Sequence, residues 1–279
     1  MKSISSVANI FKYHLLSSSL PSSVSLNQCL NSSLIHTLNI VDNFPCKFIL
    51  IDIANGYIEK FREFCKRVRE KYPNKILVAG NVCTKEGVQT LIELGIDIIK
   101  SGIGGGGACT TRIQTGIGMP QLSCVLESVE GKQEKIYYEN KNSYIISDGG
   151  ITCPGDMAKA FGGGADFVMV GSEFAGHDEN PGELIEESGQ LYKFFYGMSS
   201  SFAMKNNYAA NNNTKYRSSE GREIKIKYKG HLENTVENYL GGLRSTCTYT
   251  NSKNLDDLQE NCKFILVNNQ YNNNLVNGK

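Results

Sequence analysis

Residues 95–121 read GIDIIKSGIGGGGACTTRIQTGIGMPQ. Ile96 to Lys100 is short, rich in isoleucine and broken only by Asp97, the pattern of a buried strand. It runs directly into glycines 102, 104, 105, 106 and 107, then Cys109, Thr110, Thr111 and Arg112. A core strand that ends in flexible glycines and one thiol is suited to present that thiol to a ligand, because glycine lets a ligand approach the backbone closely. The plainer reading is a cysteine packed under a glycine turn. From these residues alone the two are evenly matched.

The same grammar repeats on both sides. Phe48 to Ala54 reads as a buried strand closing on Asn55-Gly56, and Lys75 to Ala79 as another closing on Gly80-Asn81. Tyr144 to Ser147 ends in Asp148-Gly149-Gly150, and Asp166 to Val170 ends in Gly171-Ser172. Between them lie helical patterns. Glu59 to Lys71 carries Phe61, Phe64, Cys65 and Val68 on one stripe, Thr84 caps a helix that Gly95 stops, and Cys153-Pro154 opens one through Phe161. Pro120 and Gln121 start a helix through Leu126, followed at 130–143 by a polar stretch that reads as a surface insertion. Strand and helix in alternation predict parallel β/α units. A polar or glycine-rich signal at the carboxyl end of every strand predicts a parallel (β/α)8 barrel of the TIM type, whose active site is built from the loops on that face. A doubly wound sheet asks for such signals at its switch point only.

Composition narrows the function classes. The 279 residues carry a net charge of +1, so neither nucleic acid nor a membrane surface is an electrostatic partner. No apolar run reaches the roughly 20 residues of a membrane helix. The nine cysteines are odd in number and form no CxxC pair, which points to a reducing, cytoplasmic setting. Residues 1–33 are serine-rich, contain no acidic residue and have no arginine. They read as a divergent N-terminal segment more readily than as a targeting peptide, with the barrel domain at 34–279. Leu34 to Val41 looks helical. In the last third, Glu223 to Tyr228 alternates as a half-exposed strand, and Thr235 to Leu243 reads as a helix stopped by Gly241-Gly242.

Among candidate groups, the loop amides and Arg112 favour a nucleophilic thiolate at Cys109. Cys153 and Cys247 are weaker rivals, since neither follows a strand with a run of glycines. Asp148 with Gly149 and Gly150 suits a ribose hydroxyl on the carboxylate and a phosphate on the amides, although Asp-Gly also marks plain turns. Gly102-Ile103-Gly104 with Gly107 matches a dinucleotide fingerprint only superficially, because no acidic residue ends a following strand about 20 residues on. Glu220 is either an acid/base or a solvated carboxylate. His177 and His231 sit in polar contexts and read as surface residues.

The runs FILIDIANGY, GIGGGGACTTRIQTGIGMPQLS, IISDGGITCPGDMAKAFGGGADFVMVGS, FYGMSS, YRSSEG and LGGLRSTCTY resemble, in order, the GMP reductase family. The sister family, IMP dehydrogenase, shares the cysteine loop and the Asp-Gly-Gly turn. The resemblance implies reductive deamination of GMP to IMP and ammonia with NADPH, in purine salvage, by a homotetramer. Cys109 would form a thioimidate, with Thr111 and Glu220 managing the proton. It puts substrate on Asp148, Gly149, Gly150, Gly171, Ser172, Gly197, Met198, Ser199, Arg217, Ser218, Ser219 and Gly221. It puts NADPH on Asp52, Ile53, Ala54, Ile103, Gly104, Met198, Tyr216, Arg217, Ser245, Thr246, Cys247 and Thr248. A monovalent cation, K+, would bind at Gly104, Gly106 and Cys109 near Arg112. Family members place a phosphate-binding serine where this chain has Gly107. The first two β/α units of the family barrel have no counterpart, and the next strand would come from 17–26, so the expected barrel is incomplete at its N-terminus. The alternatives are a truncated, inactive nucleotide-binding pseudo-enzyme, or an IMP dehydrogenase.

Overall fold

The computed structural model describes residues 23–25, 42, 46–139, 141–197 and 220–268. Six strands form one parallel sheet: β1 (Ser23–Ser25), β2 (Phe48–Asp52), β3 (Ile76–Val82), β4 (Ile98–Ser101), β5 (Tyr144–Asp148) and β6 (Phe167–Met169). Their spatial order is their chain order. A doubly wound sheet reverses order at a switch point; this one advances one strand at a time in a single sense, as a β/α barrel does. β1 pairs with Phe48 to Leu50, so the sheet reaches back into the 1–33 segment. The predicted helix at 34–41 lies outside the described residues.

The helices follow as the β/α alternation requires: α1 (Glu59–Lys71), α2 (Lys85–Glu93), α3 (Thr111–Thr115), α4 (Gln121–Glu139), α5 (Pro154–Gly162), α6 (Leu232–Tyr249) and α7 (Leu255–Asn261). Thr84 caps α2 by accepting from the Gly87 amide. The inner faces of α1, α2 and α4 pack with the sheet into one core containing Ile49, Ile51, Phe61, Val68, Leu77, Leu91, Ile99 and Ile145. A second core joins α5, α6 and α7 through Met157, Phe161, Tyr239, Leu243 and Leu258.

One local device recurs below the sheet. Gly95 and Gly164 take positive φ at the ends of their helices, which residues with a Cβ resist. Two residues on, Asp97 accepts from the Leu77 amide at 2.7 Å and Asp166 from the Ile145 amide at 2.8 Å. Each carboxylate ties the start of one strand to its neighbour. Arg69 of α1 completes the first tie, donating to Gly95 O, Pro73 O, Lys75 O and Asp97 Oδ2 at 2.9, 3.0, 2.9 and 2.5 Å. Arg69→Met is therefore expected to lower the urea-unfolding free energy by about 2–3 kcal/mol, from several acceptors stripped of a charged donor. An unchanged midpoint would remove this tie from the account of stability.

Two sequence expectations need correction. The polar stretch at 130–143 is not an insertion: α4 continues to Glu139. Its charges are paired at helical spacing with neighbouring elements, Lys132 with Asp166 at 2.7 Å, Lys135 with Glu93 at 2.6 Å, and Glu134 with Lys85. Nor do Gly241 and Gly242 stop a helix, since α6 runs through both. Gly242 is small because α5 lies against it: a Cβ there would sit 2.4 Å from the Pro154 Cβ.

Phe194 to Gly197 do not add a strand to the parallel sheet. β8 (Gln190–Tyr196) is the centre of a separate antiparallel sheet with β7 (Ile185–Glu187) and β9 (Glu223–Lys227). His177, expected at the surface, is fully buried beside that sheet. Both ring nitrogens have partners, Phe174 O at 3.1 Å and Thr235 Oγ1 at 2.8 Å, and this offsets the cost of burial. Among the described residues no helix is long and apolar enough to cross a membrane.

Candidate active site

The loop after β4 folds as a glycine turn closed by the Cys109 amide on Gly106 O at 3.0 Å. Gly102 takes φ +143°, and a Cβ on it would lie 2.3 Å from Asp148 O, so glycine is required there by both dihedral and space. A second segment is zipped onto the loop just before β9. The Thr110 amide donates to Glu220 O at 2.8 Å, and the Arg222 amide donates to Ala108 O at 3.0 Å. Cys109 and Gly221 thus form a bridge of antiparallel type. The Gly197 amide, at the end of β8, donates to Arg222 O at 3.2 Å.

This zipper brings three side chains into line. Cys109 Sγ donates to Thr111 Oγ1 at 3.2 Å, and Thr111 Oγ1 donates to Glu220 Oε2 at 2.6 Å. All three are partly exposed. Thiol, hydroxyl and carboxylate form a continuous path by which a proton can move between a reacting group at Cys109 and Glu220. The rival cysteines differ. Cys247 is buried in the second core, and burial raises its thiol pKa. Cys153 is exposed, but it stands at the N-cap position of α5 and lies off the loop. Elsewhere burial pushes the Cys65 thiol up to about 12.

The other candidate residues divide by position. Asp52 and Asp148 end the parallel strands β2 and β5. The Gly149 and Gly150 amides, expected as phosphate donors, are already bonded to Met169 O at 3.3 Å and Gly105 O at 2.7 Å. Gly171 and Ser172 follow β6, and Ser172 leans onto the glycine loop: a Cβ on Gly107 would lie 2.7 Å from Ser172 Oγ and 2.9 Å from its Cβ. Ile53 and Ala54 continue from β2, while Ile103 packs beneath the loop with Cys83 and Cys124. The Arg112 stem lies over Gly104, where a Cβ would sit 2.4 Å from Arg112 Cγ. Ser245 to Thr248 form the last turns of α6. There Thr246 and Thr248 hydroxyls donate to Gly242 O and Arg244 O of the same helix, and nothing in the described residues ties this run to the Cys109 loop. Met198, Ser199, Tyr216, Arg217, Ser218 and Ser219 lie outside the described residues.

Three polar residues at this face were not anticipated. Lys100 is buried between Asp52 and Asp148. Asn81 donates to Asp148 Oδ2 at 2.8 Å. Gln121 donates to Ser101 O at 2.9 Å and Ser147 Oγ at 3.0 Å, bracing β4 against β5. Only the position of Asn81, directly after Gly80 at a strand end, carried a signal in the sequence.

Comparison with known proteins identifies the family. The description "IMP dehydrogenase / GMP reductase domain" matches residues 29–273. Mouse "GMP reductase 1" is 53% identical over 226 residues, covering 81% of this chain and 63% of that protein. Human "GMP reductase 1" is 52% identical with the same coverage, and the Aeromonas hydrophila "GMP reductase" is 48% identical over 227 residues. The chain spans about 63% of the length of the curated relatives it matches. A singly wound parallel sheet, a thiol loop at its carboxyl-end face and half of the aligned residues shared place this chain in the TIM-barrel family of IMP dehydrogenase and GMP reductase.

Proposed function

We propose that the chain carries out the NADPH-dependent reductive deamination of GMP to IMP and ammonia. The observation that supports this most directly is the bonded path Cys109–Thr111–Glu220, assembled from residues more than 100 positions apart. Cys109 Sγ attacks carbon 2 of the purine, giving a thioimidate as the amino group leaves. Glu220 and Thr111 move the proton that allows this nitrogen to depart as ammonia. NADPH supplies the hydride that carbon 2 receives, after which the thiolate is released with IMP.

Asp148 accepts from the ribose and Ser172 donates to the phosphate, with Gly171, Gly197 and Gly221 leaving room for backbone approach. Asp52, Ile53, Ala54, Ile103 and Gly104 form the hydride-donor side. A monovalent cation suits the neutral carbonyls of Gly104, Gly106 and Cys109, since an oxygen donor set without carboxylates favours a weakly hydrated ion such as K+. Gly106 O keeps one lone pair for it while accepting from the Cys109 amide. We further infer a homotetramer in the cytoplasm, as the resemblance implies.

The purified chain is expected to consume NADPH, followed by absorbance, when GMP is added. Reduction of NAD on addition of IMP would instead assign it to the dehydrogenase side of the family. GMP binding with neither signal would leave a nucleotide-binding chain without turnover, and would overturn the proposal.

A further inference from the structure

Lys100 is the most deeply buried charged side chain at the strand ends, 2% exposed in a chain whose other lysines mostly reach water. Its stem crosses β3 at Gly80, where a Cβ would lie 2.6 Å from Lys100 Cβ and 2.4 Å from Lys100 O. That close passage directs the ammonium to the face where β2 and β5 end. There Nζ stands 2.7 Å from Asp52 Oδ1 and 3.1 Å from Asp148 Oδ2. Asn81 Nδ2 donates to the same Asp148 oxygen at 2.8 Å and to Gly102 O at 2.6 Å. Each carboxylate therefore gives one oxygen to the interior. Its other oxygen, Asp52 Oδ2 or Asp148 Oδ1, has no hydrogen-bond or ion-pair partner among the described residues.

A buried ammonium between two carboxylates is costly to assemble unless both partners are well placed, and removing it leaves two like charges facing each other on one sheet. The arrangement has a functional consequence because the two carboxylates serve different ligands in the reductase reading, on which this inference rests. Asp148 faces the nucleotide ribose and Asp52 the hydride donor. We propose that Lys100 is a positioning residue that couples the two ligand sites, by holding one oxygen of each carboxylate inward so that the other is aimed at its ligand. A hydroxyl bound to Asp148 draws charge from that carboxylate and shifts the ammonium's share toward Asp52. By linkage, a ligand on the Asp52 side must alter GMP affinity by the same factor that GMP alters its affinity.

The test is equilibrium binding by calorimetry, with GMP titrated into the whole chain in the absence and presence of saturating NADP+, which cannot donate hydride. The wild type is expected to show different GMP affinities in the two conditions. Lys100→Met should weaken GMP by about tenfold or more, the scale of losing a charge-assisted contact. It should also bring the two affinities to the same value. Lys100→Arg, which keeps the charge and adds a fork, should restore most of both effects. A purely structural lysine would lower thermal stability without abolishing the difference between the two conditions. If Lys100→Met fails to fold, Asn81→Ala, which frees only the Asp148 side, is expected to weaken GMP while retaining part of the coupling. Wild-type GMP affinity in Lys100→Met, undiminished coupling, or an arginine variant no better than methionine would overturn the proposal. Normal coupling without turnover would refute the reductase activity but keep the two ligand sites of that reading, and with them the coupling through Lys100. A wild-type chain that binds no GMP overturns both.

Discussion

Cys109→Ala is expected to abolish GMP-dependent NADPH consumption, by about 10⁴-fold or more, while GMP binding changes by less than about tenfold. Loss of a covalent nucleophile removes the whole two-step route, because among the described residues of the site no other thiol is placed to form the bond to carbon. Thr111 cannot substitute: its hydroxyl is a poorer nucleophile than a thiol and is held by Glu220 Oε2 at 2.6 Å. Cys153 stands at the start of α5, off the loop, and Cys247 is enclosed in the second core. The substitution is mild for folding, since Cys109 is only partly buried and the turn is closed by its backbone amide, which alanine retains. Circular dichroism should therefore show an unchanged melt. Retained turnover in this variant would eliminate the thioimidate mechanism. Glu220→Gln gives the graded counterpart. It keeps the shape and removes the base, and is expected to cost about 10²–10⁴-fold in kcat, the usual range for one general acid/base.

The parts of the fold that the sequence made legible are those whose cause is local. The strands announce themselves as short apolar runs, Gly95 stops α2 through its own dihedral, and Thr84 caps the start of the same helix by accepting from an amide three residues on. Cys109 and Asp148 were visible for the same reason, each marked by the glycines beside it. What was not legible depends on partners far along the chain. The charges of α4 resemble a loop until Lys85 and Glu93 on α2 are set against them. His177 resembles a surface histidine until Thr235, 58 residues on, meets its ring. Lys100 is the clearest instance. In the run IDIIKSG it reads as a polar residue closing a strand, and only the order of the sheet shows where its anions come from: Asp148 ends the adjacent strand β5, and Asp52 ends β2, one strand beyond β3. Glu220 stood undecided between an acid/base and a solvated carboxylate until the family resemblance paired it with Cys109; its backbone zipper to Thr110 spans 110 residues and leaves no trace in local spacing.

Restoring the family's loop serine should impair the protein. Gly107→Ser is expected to lower kcat/KM for GMP by about 10–100-fold, whereas resemblance alone argues for a gain of one phosphate donor. The cause is space. The new Cβ would stand 2.7 Å from Ser172 Oγ and 2.9 Å from Ser172 Cβ. Rotation can move the Oγ aside, but the Cβ is fixed to the backbone after β6, so the exposed loop must give. Cys109 lies two residues further on and moves with it, and small displacements of a reacting atom are costly. Ser172→Gly should also lose activity, for a different reason: the Gly149 and Gly150 amides are engaged by Met169 O and Gly105 O, whereas the Ser172 hydroxyl is a side-chain donor at that edge. A hydrogen bond to a charged group is worth about 1.5–3 kcal/mol, or roughly 10–100-fold. The double variant Gly107→Ser/Ser172→Gly then places one hydroxyl back in one side chain's volume, from the other side of the gap. It is expected to recover most of the wild-type kcat/KM, making the two losses strongly non-additive. Additive losses in the double variant would show that the two positions do not share one site, and a gain in Gly107→Ser alone would show that the loop has room for both hydroxyls.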